Sequence, residues 1–140
     1  MREIINSLKE KAEEYNIRFN SPVCDEQIIN FEKNYSIIPS EYKDFIEISN
    51  GLWVTECYDC MIYSLQDVVD VLESTIKMQD SDIDKGILHI GTFWEDALYI
   101  NHDNIIFLSF QGIEKAISIN MSFRQFLEKC LEENFEIFWD

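Results

Sequence analysis

At 140 residues, with two prolines, four glycines and 46% apolar side chains, the chain suits one domain, residues 1–140, with a single core. That composition excludes a disordered chain, and no apolar run reaches the ~18 residues of a membrane-spanning helix. The net charge of −16 argues against nucleic acid or anionic lipid as a partner; it attracts a basic partner or serves plain solubility.

From the N-terminus, Ile4, Ile5, Leu8, Ala12 and Tyr15 form a helical stripe, with Glu10, Lys11, Glu13 and Glu14 toward solvent. This charged stretch lacks the hydrophobic region of a signal peptide, so a cytoplasmic location with four free thiols is expected. Asn20-Ser21-Pro22 then breaks the chain. From Asp25 to Gly51 the spacing predicts two amphipathic helices joined by an Ile-Pro corner. Ile28, Phe31 and Tyr35 share one face of the first helix, and Tyr42, Phe45 and Ile46 one face of the second. Pro39 fits the edge of a first helical turn, and Asn50-Gly51 readily leave a helix through a left-handed conformation. Phe31, Tyr42 and Phe45 are therefore expected in the core.

Residues 52–64 read as extended, with Trp53-Val54-Thr55 and Met61-Ile62-Tyr63 on either side of a turn at Tyr58-Asp59. Helical spacing returns from Leu65 to Met78, followed by a polar loop from Gln79 to Gly86. Four short apolar runs begin at Ile87, Ala97, Ile105 and Ala116, separated by turn residues that include a hairpin turn at Asn101 to Asn104. A last helix from Ser122 to Glu133 buries Phe123, Phe126, Leu127, Cys130 and Leu131, and an apolar tail follows. Helices, a cluster of strands and a closing helix predict an α+β fold with a mostly antiparallel sheet flanked by amphipathic helices.

Catalytic and metal chemistry find little footing. Cys57-Tyr58-Asp59-Cys60 is a lone C-x-x-C without the second ligand pair of a structural zinc site. Asp80-x-Asp82-x-Asp84 imitates the start of a calcium loop, but Lys85 and Gly91 stand where the turn glycine and the bidentate glutamate belong. His102-Asp103 shares a turn, where neighbouring side chains rarely face each other, and His89 inside a strand reads as a satisfied residue. No nucleophile elbow or phosphate-cradling glycine loop is present. The expectation is no catalytic site, no metal and no cofactor.

One constellation remains. Aromatic and acidic residues interleave in two loop regions, Trp53, Glu56, Tyr58 and Asp59 in one, Phe93, Trp94, Glu95 and Asp96 in the other. Tryptophan and tyrosine are preferred interface anchors, and rim carboxylates speed encounter with a basic protein. Burial in the core competes with that role for Trp53 and Trp94. The charge leans the same way: residues 46–140 carry 18 acids and 5 bases, residues 1–45 only 9 and 6.

The helix pair with Phe31-Glu32-Lys33, Ile38-Pro39, Tyr42-Lys43-x-Phe45 and Asn50-Gly51 resembles the signature of the SUKH superfamily. Ile90-Gly91 followed by Asp96, Leu98 and Ile100, and the helix Ser122 to Leu127, match that family in the same order. A family Gly-rich turn after Ile-Gly is replaced here by Thr92-Phe93-Trp94-Glu95. The resemblance implies a non-enzymatic binding protein of the bacterial immunity branch, which neutralises a cognate polymorphic or contact-dependent toxin. Such toxins are frequently nucleases, whose phosphate-holding surfaces are basic. The expected partner is thus a basic toxin protein, bound through Trp53, Glu56, Tyr58, Asp59, Trp94, Glu95 and Asp96. The alternative is a cytosolic scaffold or regulatory interaction module without a toxin partner.

Overall fold

Short apolar runs bounded by turn residues assemble one sheet, and its alternating side chains decide where everything else packs. The computed structural model describes residues 1–55, 60–75, 87–109 and 116–136. Among them the sheet comprises β1 (Ile17–Phe19), β2 (Leu52–Val54), β3 (Cys60–Ile62), β4 (Ile87–Phe93), β5 (Asp96–Asn101), β6 (Ile105–Ser109) and β7 (Ile117–Ser122). All neighbouring pairs are antiparallel, and the order of strands in space is their order in the chain. The helices are α1 (Arg2–Glu10), α2 (Ala12–Tyr15), α3 (Asp25–Asn34), α4 (Ser40–Ile46), α5 (Leu65–Thr75) and α6 (Phe123–Glu132). The fold is α+β, as the pattern of elements predicts.

Alternate strand residues, among them Val54, Ile62, Leu88, Ile90, Phe93, Leu98, Ile100 and Leu108, are buried in one cluster. The helices press Ile4, Ile5, Leu8, Phe31, Tyr42, Phe45, Phe123 and Phe126 into the same cluster. Phe31, Tyr42 and Phe45 are core residues, as their helical spacing predicts. Phe45 meets Phe123 edge-on at 5.5 Å, and Phe93 meets Phe126 the same way at 5.4 Å, the geometry that ring quadrupoles favour.

Differences from the sequence expectation are local. The N-terminal stripe divides into α1 and α2 at Lys11, and left-handed Asn16 (φ 52°) turns the chain into β1. Three residues of β1 are too few for alternation to announce a strand. Phe93 and Asp96 belong to strands, so only Trp94 and Glu95 form the β4–β5 turn. The C-x-x-C residue Cys57, the end of the helix expected to Met78 and the Asp80 to Asp84 loop lie outside the described residues.

The helix pair is fastened by polar groups at fixed places. The Glu32 carboxylate accepts the Ile38 N–H (3.0 Å) across the corner and pairs with Lys43 (3.5 Å). Tyr42 donates its hydroxyl hydrogen to the Tyr63 carbonyl at 2.6 Å. Asn50 Oδ1 accepts the Leu65 N–H (2.9 Å), a donor at the start of α5 with no partner inside that helix. Buried Ser49 accepts the Asn20 N–H and donates to the Gly51 carbonyl. Gly51 sits at φ +107°, closed to ordinary side chains. At Gly91, a Cβ would collide with the Met61 carbonyl oxygen of the paired strand β3.

The hairpin turn after β5 serves the helices as well. Asn104 Oδ1 accepts the Glu41 N–H at 2.9 Å, and Glu41 in turn accepts the Arg124 N–H at 2.6 Å. An N–H in the first turn of α4 is thereby satisfied by the β-turn, and one in the first turn of α6 by a side chain of α4. Ser122 and Gln125 complete a reciprocal capping box on α6.

Candidate partner-binding surface

Antiparallel register decides which loops meet. Val54 pairs with Cys60, closing the β2–β3 connection, and Cys60 pairs with Phe93, the last residue of β4. Phe93 pairs in turn with Asp96 across the β4–β5 turn. The strand ends flanking residues 56–59 therefore stand beside Trp94 and Glu95 at one end of the sheet. Thr55 reaches from that end to the Asn16 carbonyl through both its N–H (3.3 Å) and its hydroxyl (3.0 Å). The strand ends that bound the two loop regions singled out in the sequence are thus adjacent through β3 and β4. Glu56, Tyr58 and Asp59 themselves lie outside the described residues.

The two tryptophans differ in their surroundings. Trp94 has a left-handed backbone (φ 58°), is half-buried, and lies 6.3 Å from the Phe93 ring in a stacked arrangement. Its indole N–H donates to the Phe135 carbonyl at 3.3 Å, in the segment that follows α6. Trp94 thereby fastens the β4–β5 turn to the C-terminal packing. Trp53, by contrast, projects from mid-strand β2 with 42% of its surface exposed, on the sheet face away from the core. It pairs with Arg18 on one side and Met61 on the other. Beside it is a recess of about 310 Å³ whose walls include Arg18, Met61, Ser64 and Asp67. Glu95 is exposed at the tip of its turn, and Asp96 is half-buried at the start of β5.

Sequence reasoning missed the sheet face on which Trp53 lies. Tyr63, His89, Tyr99 and Phe107 alternate with buried residues and are each partly exposed. The Tyr63 and His89 rings are 5.2 Å apart, and His89 stacks on Tyr99 at 4.8 Å. Tyr99 and Phe107 are direct cross-strand partners. The signal was available in the alternation Leu88-His89-Ile90 and Leu98-Tyr99-Ile100. Only the register, however, places these rings in one row. His89 Nε2 lies 2.9 Å from the Gly91 carbonyl, which makes it the satisfied strand histidine that the sequence suggests.

Three tyrosines and one cysteine near these surfaces are held toward their neutral forms. Burial, then the Asp67 carboxylate, raises the Tyr42 and Tyr63 phenols above the ordinary tyrosine value. Burial and then Cys60 raise the Cys130 thiol, whereas Cys24 is exposed. A second cleft of about 270 Å³ opens between α3 and α5, lined by the carboxamides of Gln27, Asn30, Asn34 and Gln66. Tyr35 there donates to Glu73 at 3.2 Å, and burial followed by that carboxylate raises its phenol. His102 and Asp103 are exposed in their turn, where Asn101 Oδ1 holds the Asp103 N–H.

Among the described residues no three His, Cys, Asp or Glu side chains converge on a point that would hold a metal ion. Nor is any described helix long and apolar enough to cross a membrane. What the arrangement offers is contact: rings, exposed carboxylates and a strongly negative field. The model of the SMI1 / KNR4 family (SUKH-1) matches residues 22–130, from Pro22 ahead of α3 to Cys130 in α6. That span holds the helix pair, six of the seven described strands and most of α6. No curated protein matches the chain.

Proposed function

Since the chain belongs to the SMI1 / KNR4 family (SUKH-1), we propose that it is an immunity protein that binds and neutralises a cognate bacterial toxin. The family is associated with immunity proteins and is generally non-enzymatic. The match over residues 22–130 is the observation that carries this reading. The net charge of −16 supports a basic partner, of which a nuclease-type toxin domain is the chemical example, because such a domain must hold phosphate. The proposed contact residues are Trp53, Glu56, Tyr58, Asp59, Trp94, Glu95 and Asp96. The adjacency of the β2–β3 and β4–β5 strand ends supports their acting on one partner.

Neutralisation on this reading needs no cofactor and no covalent step. Occupation of the toxin surface by an acidic, aromatic protein suffices, and the proposed site of action is the cytoplasm. Carboxylates at the sheet end steer the encounter, and the aromatic side chains slow release. Co-expression with the product of an adjoining candidate toxin gene tests the function directly. Cells carrying both are expected to survive, with association in stopped-flow slowing as salt rises. Loss of viability despite a folded, abundant protein would sink the immunity reading. Protection with salt-independent association would remove the electrostatic steering alone.

A further inference from the structure

The sheet face opposite the core carries a row of rings that runs across four strands. Tyr63, just beyond β3, is 5.2 Å from His89 on β4, and His89 is stacked on Tyr99 of β5 at 4.8 Å with the planes 29° apart. Phe107 of β6 is the direct partner of Tyr99. Alongside runs a second row that pairs Trp53 with Met61, Met61 with Thr92, Thr92 with Ala97 and Ala97 with Ser109. From Thr92 to Ser109 its side chains are short. The large rings thus stand beside a row of short side chains that leads through Met61 to Trp53. Among the described residues every member of both rows is partly exposed, while the alternate residues are buried.

Stacked rings on an open sheet face are a platform for planar groups. Unpaired nucleic-acid bases are one such group, but a −16 chain repels the phosphates that carry them. The guanidinium of arginine is the other. It is planar, stacks on aromatic faces, and carries the charge that this protein attracts. A carboxylate stands near the platform to take the guanidinium fork: Asp67 shares the recess with Trp53.

We propose that the Tyr63–His89–Tyr99–Phe107 row is a docking platform for arginine side chains of the basic protein partner. Trp53 then joins the platform to the acidic sheet end. The inference rests on the partner-binding function proposed above and specifies the surface and chemistry of the contact.

Hexa-arginine and hexa-lysine peptides, titrated at one ionic strength while the aromatic ring protons are followed by NMR, test the platform without any toxin. Both peptides feel the same net field, so stacking and bidentate bonding of the guanidinium separate them, and a variant that removes rings but no carboxylate isolates the stacking. Hexa-arginine is expected to bind about two- to fivefold more tightly and to shift the His89, Tyr99 and Phe107 ring signals. The double substitution Tyr99→Leu with Phe107→Leu keeps the face apolar while removing two rings, and is expected to abolish that difference. Thermal unfolding verifies its fold, and the single Tyr99→Leu chain serves if the double one is unfolded. Equal binding of the two peptides, ring signals that stay put, or tighter binding of oligo-dT at the same rings would each overturn the platform.

Co-expression with the candidate toxin separates this inference from the function beneath it. If the wild-type chain protects and the folded Leu variant protects equally, the platform falls and the immunity reading stands. If the wild-type chain fails to protect, the immunity reading falls and the peptide titrations still decide the platform.

Discussion

The helix pair and the sheet end use the same kinds of side chain for opposite purposes. Between Asp25 and Gly51, the tyrosine, glutamate, lysine and asparagine that carry the family resemblance turn their polar atoms inward. Tyr42 holds the Tyr63 carbonyl, Glu32 holds the corner, and Asn50 holds the start of α5. At the sheet end and across the open face, Trp53, Glu95 and Tyr99 remain partly or fully exposed. The contrast teaches that the helix pair specifies a scaffold, while the proposed partner surface lies outside that pair.

The widest gap between the two regions comes from truncating the frame. Phe45→Ala removes a fully buried ring that packs edge-on against Phe123, and is expected to cost ~3–5 kcal/mol in denaturant unfolding. A stable Phe45→Ala protein that has lost partner binding would reverse the assignment of roles.

Next in size is Asn50→Ala, which leaves the Leu65 N–H without its acceptor and should cost about 1–3 kcal/mol. Hydrogen exchange is expected to accelerate first in α5, and an unchanged rate there would show that another group takes the donor.

The tryptophans sharpen the comparison within the sheet itself. Trp94→Ala loses ring packing and the bond to Phe135, so a stability loss of about 1–2 kcal/mol is expected. Trp53→Ala, at a residue with 42% of its surface exposed, should leave the unfolding midpoint almost unchanged and speed dissociation of the proposed partner. Calorimetry together with dissociation kinetics checks both, and exchanged outcomes would exchange the roles.

Tyr42 gives the frame a pH dependence. Burial and Asp67 raise its folded pKa above the ordinary value of 10, so the folded chain retains a proton that the unfolded chain sheds. Its contribution is complete below pH 10 and declines as pH rises beyond it. Tyr42→Phe should lose about 1 kcal/mol at neutral pH and show a shallower alkaline decline, measured by urea unfolding across that range. Tyr35 and Tyr63, also raised, leave part of the slope in place.

The smallest effect on folding is expected from Glu95→Lys at the exposed turn tip, within about 0.5 kcal/mol of the parent. Its mark should be a slower association with a basic partner, most pronounced at low salt. A change in stability larger than in rate would move Glu95 from the surface to the frame.

Much of this was legible in the residues. Spacing of three and four placed Phe31, Tyr42 and Phe45 in the core, and turn residues between apolar runs gave the antiparallel sheet. Interleaved rings and acids pointed to Trp53 and to the Trp94 turn. What spacing alone could not supply was register, which depends on turn geometry and on the bulges in β4 and β6 as well as on alternation. Hence the row from Tyr63 to Phe107 went unseen, although each of its members sits in a visible alternation. Asn104 looked like an ordinary turn residue, and nothing near it in sequence reveals that it caps a helix 63 residues away. Trp94 was ambiguous for a similar reason, since its partner carbonyl lies 41 residues downstream.

Strand order that follows chain order has a consequence in time. The β2–β3 pair and the run from β4 to β7 join strands over short connections, so they can zip up from neighbouring contacts at little loop-closure cost, whereas the β1–β2 and β3–β4 pairs close across helices. The first helix follows another schedule. Lys11 donates to the Leu131 carbonyl across 120 residues, and Tyr15 packs on Phe135, so α1 and α2 complete their contacts only once α6 is in place. Until then the stripe of Ile4, Ile5 and Leu8 lacks part of its cover, and a ribosome-bound chain is expected to carry a nearly finished sheet with an unsealed flank. The earliest-made helix is thus among the last to settle.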